Sequence, residues 1–223
     1  MNTERLIETL AHQVTPAPPL ASPWARSMVW LLAALVYFGV LLLTMTPIPE
    51  IGATARDGLF WFQQLAAVST AATAAAAAFA LTVPGYSRAS LRLAIIVALL
   101  WVVSVSVRAI QEWARTDINL VAPGELACVV LIAFGGSVPT FAMTHLLRSG
   151  APLAPRLTTG LAMLAASSLA SIVACVTHPH PSDAVTLAWH GAAILVLVAI
   201  ASAAGPVVLT WKMRRAGSGN TSA

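Results

Sequence analysis

Apolar residues run along this chain in stretches too long and continuous to be single faces of amphipathic elements. Read for about 20 residues free of strong charge, the pattern predicts six membrane-spanning helices. They fall at Ser27–Thr46, Leu59–Val83, Leu91–Ile110, Pro123–Leu147, Leu157–Val176 and Ala184–Thr210. The breaks between them, "TPIPEIGATARDG", "PGYSRAS", "QEWARTDINLVAPG", "RSGAPLAPR" and "THPHPSD", gather the Pro, Gly and charge that end helices. The expected fold is an all-α integral membrane protein, a six-helix transmembrane bundle over residues 27–211. A cytoplasmic N-terminal segment of residues 1–26 and a cytoplasmic tail of residues 212–223 flank it. Arg92 and Arg108, near the two ends of the third span, are expected to snorkel toward the interfaces. Glu4, Glu8 and several prolines precede the first span and no small-residue cleavage site follows it, so it reads as a retained helix.

Composition supports this class. Of 223 residues, 58% are hydrophobic and 9% charged, whereas a soluble domain carries about 25% charge. The net charge of +4 matters less than where it sits, and gives no reason to expect direct nucleic-acid binding. Arg5, Arg26, Arg88, Arg92, Arg148, Arg156, Lys212, Arg214 and Arg215 fall on one side of the predicted bundle; Arg56, Arg108 and Arg115 fall on the other. Nine against three places both termini in the cytoplasm. Glu50, Asp57, Glu112, Asp117, Glu125 and Asp183 lie on the outer side, with only Glu4 and Glu8 inside. Tryptophans mark the interfaces, with Trp24, Trp30 and Trp211 inside and Trp61, Trp113 and Trp189 outside. Trp101 departs from this rule, near the middle of the third span.

Within the spans, the small-residue tract Ser69–Ala80 predicts close approach of a neighbouring helix. Gly135, Gly136, Pro139, Gly205 and Pro206 are expected kink points. No internal repeat suggests the duplicated halves of a transporter.

The chemistry gathers at the outer edge, in "ACVTHPHPSDAVTLAWH". The chain has two cysteines: Cys175 at the outer end of the fifth span, and Cys128 about 6 Å along the axis of the fourth. Both therefore lie at similar depth near one face. Glu125 is one turn nearer water than Cys128 on the same helical face, His178 and His180 lie in the turn, and His190 sits about two turns into the sixth span. A thiol pair at an oxidising face can form and break a disulfide. Thiolate with imidazole can also hold a transient soft metal ion of the zinc, cadmium or copper class. Against both stand the ordinary readings of cysteine as a small buried apolar residue and of loop histidines as solvated. No other cofactor is expected.

At the inner edge, Thr3 is placed to cap a short helix over residues 4–13, with Leu6, Ile7, Leu10 and Val14 on one side. The following "TPAPP" makes a stiff spacer. Such a tethered amphipathic helix suits a partner's groove or the lipid headgroups.

Taken in order, "LIETLA", "PAPPLASPWAR", six spans, "GELACVV" and "CVTHPHPSDAVTLAWH" resemble the NrsF family of six-span bacterial membrane anti-sigma factors. The resemblance implies an extracytoplasmic-function sigma factor held at the inner face and released under heavy-metal or oxidant stress. It makes Cys128 and Cys175 the sensor pair, His190 a supporting residue, and Leu6, Ile7, Leu10 and Val14 the partner-binding face. Val176 stands where family members often carry a proline directly after the second cysteine. On this reading the chain is not an enzyme, and its partners are the sigma factor and the lipid bilayer. The rival classes are a small transporter or channel, which would carry ionisable residues at mid-membrane, and a membrane thiol oxidoreductase.

Overall fold

The computed structural model describes residues 3–13, 21–49, 51–85, 87–115, 125–150, 153–178 and 182–209. Among them all regular structure is helical: α1 (Thr3–Gln13), α2 (Pro23–Thr44), the single turn α3 (Ile51–Thr54), α4 (Gly58–Ala80), α5 (Ala89–Trp113), α6 (Glu125–Leu147), α7 (Pro155–Thr177) and α8 (Asp183–Val208). The long helices follow the predicted spans to within a few residues. α3 is an addition, one turn inside the first break. Thr3 is the first residue of α1 and not its cap.

Helix starts follow local chemistry. Ser22 caps α2 by accepting from Ala25 N (3.2 Å), with Pro23 in the first turn, where its missing N–H costs nothing. Asp57 caps α4 by accepting from Leu59 N (2.9 Å), and Ser182 caps α8 by accepting from Val185 N (3.0 Å). Pro155 opens α7.

Five helices, α2, α5, α6, α7 and α8, are long and apolar enough to cross a membrane, which makes this a multi-pass membrane protein. The remaining predicted span, α4, has comparable length at 23 residues but falls short in apolarity. Gln63, Gln64, Ser69, Thr70 and Thr73 dilute it, and its many alanines contribute little. Position accounts for this composition, because Ala71, Ala74, Ala75, Ala77, Ala78 and Phe79 are each 0% exposed. A helix shielded by its neighbours presents little surface to lipid and needs close packing more than hydrophobic bulk.

α7 is the axis of the bundle. It packs on α2, α4, α6 and α8, while α5 closes the ring by packing on α4 and α8. The alanine tract of α4 and the small residues of α7, among them Ala162, Ala165, Ala166, Ser167, Ala170 and Ala174, are buried together. Their hydroxyls do not need water: Thr70 donates to Ala66 O (2.8 Å), Ser167 to Met163 O (2.8 Å) and Ser168 to Ala165 O (3.0 Å).

Two of the predicted kink glycines, Gly136 and Gly205, lie against α7. α6 and α8 continue as helix through Pro139 and Pro206. A Cβ on Gly136 would lie 3.5 Å from Ser167 Cα, and one on Gly205 would lie 2.5 Å from Pro155 O and 2.6 Å from Thr159 Oγ1. Gly205 thus lets α8 approach the first turn of α7, where Thr159 Oγ1 also lies 2.7 Å from Ala201 O. Trp30 is likewise not an interface marker. It is 2% exposed, and its indole Nε1 donates to Pro139 O at 3.0 Å.

Two polar clusters define the ends of the bundle. At one end Arg26 donates to Leu146 O (2.7 Å), Ser149 Oγ (3.3 Å) and Thr82 Oγ1 (3.4 Å), and covers the Phe79 ring at 4.7 Å. Arg148 Nε donates to Val208 O there (3.1 Å). The opposite end holds the predicted site.

Candidate functional site

The second cluster is built from the last turns of α5 and α7 and the first turns of α4, α6 and α8. Cys175 is two residues before the end of α7 and half-buried; Cys128 is in the first turn of α6 and 1% exposed. Both are thiols, and each lies within electrostatic reach of the other. The structure therefore brings the two cysteines together at one end of the bundle. They arrive there because α6 and α7 run antiparallel and pack side by side, so the start of one meets the end of the other.

His190 projects from the second turn of α8 and is 5% exposed. His178 caps the end of α7: its N–H donates to Ala174 O (3.0 Å), and Nδ1 pairs with Thr177 Oγ1 (3.0 Å). His180, the side chain of Glu125, the side chains of Leu6 and Leu10, and Val14 lie outside the described residues. Ile7 is exposed on α1. Among the described residues no three of the His, Cys, Asp and Glu side chains form a group able to hold a metal ion.

An ionic bridge seals this end. The Arg108 guanidinium pairs with the Asp57 carboxylate and reaches Asp183 Oδ2 at 3.7 Å, tying α5 to the starts of α4 and α8. Glu112 Oε2 accepts from Ala184 N (3.3 Å), and Ile48 N donates to Val176 O (3.0 Å), fastening the α2–α3 connection onto α7 beside Cys175. The Leu59 N–H, with Arg108 next, holds the Asp57 carboxyl below its ordinary pKa against the opposing effect of desolvation. The sequence pattern predicts an Arg108 that snorkels to water; in the fold its partners are Asp57 and Asp183 instead. A charge inside an apolar span, with two acids at neighbouring helix starts, was the available signal.

Between α5 and the axis helix α7, which do not pack closely, lies a cavity of about 910 Å³ walled by α4, α5, α7 and α8. Cys175, His190, Arg108, Asp183 and Gln63 reach its wall. Trp101 lines it too, which explains its mid-span position: this indole faces the interior space, not the membrane interface.

The family model described as "Negative regulator of sigma F" matches residues 10–211. The chain belongs to the NrsF family. Membership makes it a negative regulator of a sigma factor, with a sigma factor as its partner. No curated protein sequence matches this NrsF chain, and no solved structure matches it. The matched residues include all the long helices and both cysteines.

Proposed function

We propose that this NrsF protein spans the bacterial inner membrane six times and holds an extracytoplasmic-function sigma factor at the cytoplasmic face. It releases that factor when the cysteine pair at the outer face reacts with an oxidant or a soft metal. The observation that carries the reading is the placement of the cysteines. Cys128 and Cys175 share the end of the bundle closed by Arg108, Asp57 and Asp183, whereas the Arg26 and Arg148 clasp and the start of α2 mark the opposite end. The excess of basic residues falls with that second end, which the positive-inside rule assigns to the cytoplasm.

The two ends are mechanically connected. α6, α7 and α8 run the whole distance between them, and α7 touches most of its neighbours. A covalent or metal bridge between α6 and α7 would change how these helices pack and so alter the inner surface that receives the sigma factor. A complete switch of occupancy from 1:99 to 99:1 requires about 5.5 kcal/mol of differential stabilisation; a disulfide supplies about 2–4 kcal/mol, enough for a substantial partial release. Among the described residues α1 has no extensive packing on another helix, and with Ile7 exposed it is the segment available to a partner's groove.

The test is affinity co-purification from the native bacterium in mild detergent, comparing the full chain with one lacking residues 1–20. A sigma factor retained by the full chain alone supports the reading and places its docking segment; no sigma factor with either chain, at normal expression, overturns it. For the sensor, Cys128→Ser and Cys175→Ser should each abolish signal-dependent release while leaving resting capture intact.

A further inference from the structure

The cavity beside Cys175 carries an inference about what reaches the cysteines. Cys128 is 1% exposed, and Cys175 presents itself to the cavity between α5 and α7. The cavity is thus an available route by which a reagent meets the pair from within the bundle. Its walls are mostly apolar, with Phe60, Ala67, Leu99, Trp101, Leu164 and Ile194 among them. Leu99, Val102 and Leu195 on its rim are exposed on the outer surface of the bundle, where lipid would lie. At about 910 Å³ it falls in the range of roughly 300–1,000 Å³ seen for small-molecule sites, which are apolar with a few converging polar groups. Those groups sit toward one end. Arg108 is in the last turns of α5, Gln63 in the second turn of α4, Asp183 and His190 in the first two turns of α8, and Cys175 in the last turn of α7.

We propose that this cavity admits a lipophilic quinone from the membrane and that the quinone is the oxidant of the cysteine pair. The inference rests on the cysteine-pair reading above and names the oxidant for it. A flat ring with an apolar tail fits the walls and the lateral rim, and its carbonyl oxygens fit the polar end. An acyl chain would leave the polar end and the thiol unused.

The chemistry balances. Cys175 Sγ bonds to a ring carbon of the quinone as its thiol proton passes to a quinone oxygen, a transfer His190 on the same wall can carry. Cys128 Sγ then attacks Cys175 Sγ. The S–S bond forms, the S–C bond breaks, the electron pair stays on the ring, and the second thiol proton goes to the other oxygen. Two thiols lose two electrons to become a disulfide, and the quinone leaves as the hydroquinone.

The experiment uses the full reduced chain in lipid nanodiscs without oxygen, with short-chain ubiquinone as one oxidant and water-soluble diamide as the other. Thiols are counted by maleimide mass tagging, and quinone is followed by its ultraviolet absorbance. The expected result is saturable oxidation consuming one quinone per two thiols. Ala98→Trp and Ala192→Trp, which fill the cavity from α5 and from α8, should slow the quinone reaction about tenfold or more by removing ligand contacts, with the diamide reaction unchanged. Disulfide formation with diamide but not with quinone overturns the quinone assignment and leaves the cysteine pair standing. Equal quinone oxidation of the native chain and both cavity-filled variants overturns the cavity as the route. Failure of both oxidants to join Cys128 to Cys175 removes the cysteine-pair reading, and this inference with it.

Discussion

Asp57 shows how one side chain serves two elements: it caps α4 through the Leu59 N–H and anchors Arg108 of α5. Both contacts favour the carboxylate, and its folded pKa lies below the ordinary value. A depressed carboxyl pKa contributes stability that is complete above the unfolded value, near ~4, and is lost as pH falls through the lower folded value. The melting temperature of the native chain should therefore exceed that of Asp57→Asn at neutral pH, and the gap should close on acidification below about pH 4. Thermal unfolding in detergent across that range checks this; a gap independent of pH would assign the effect to capping geometry alone. Arg26 is the counterpart at the other end. Arg26→Met keeps an apolar stem over Phe79 and removes the donors to Leu146 O, Ser149 and Thr82. It should cost about 1.5–3 kcal/mol, the range for hydrogen bonds involving a charged group, read from denaturant unfolding in micelles. At this scale the sequence was informative about which residues mattered and poor on what they touch. Cys128, Cys175 and His190 stood out by type and depth. The partners of Arg108 and the burial of Trp30 did not, because each depends on residues at least 50 positions away along the chain.

At the scale of elements, length and apolarity determined the long helices, and Pro, Gly and capping residues set their ends to within a turn. Composition misled where a helix is enclosed. α4 looks the least membrane-like of the six because its alanine-rich later half is buried among its neighbours α2, α5 and α7, so hydropathy underrates it. The glycines of α6 and α8 were expected to bend helices, yet Gly205 is needed for closeness: any Cβ there meets Pro155 O and Thr159 Oγ1. Gly205→Ala should force α7 and α8 apart at that end and destabilise the protein by about 1–3 kcal/mol, the usual cost of overpacking. Gly39→Ala is the control, since a Cβ there meets nothing within 4 Å and alanine favours helix by up to about 1 kcal/mol. A melting temperature unchanged in Gly205→Ala would show that the α7–α8 contact has slack.

At the scale of the whole molecule, the number of crossings decides which side each terminus occupies. Asp57, capping the start of α4, belongs to the cysteine end, while Thr82, just beyond its last turn, belongs to the Arg26 end, so α4 runs the same distance as its neighbours. Six crossings put the termini on one side; five would separate them. Fusing alkaline phosphatase to one end and then the other should give an inactive reporter in both cases, as for two cytoplasmic termini. Activity at one end only would overturn the six-crossing count.

The chain by itself determined that this is a helical membrane protein, where its long helices begin and end, and which side carries the basic charge. Those properties follow from local transfer free energies and from turn chemistry, which need no knowledge of neighbours. Its motifs, read in order, pointed to NrsF. Only the tertiary structure decided that α7 is the axis, that Arg108 bridges Asp57 and Asp183, that the helices carrying the cysteines pack side by side, and that a cavity opens beside one of them. Each of these depends on how helices with similar apolar surfaces choose partners. In a membrane that choice turns on close packing and a few polar contacts between distant residues, which no hydropathy pattern encodes.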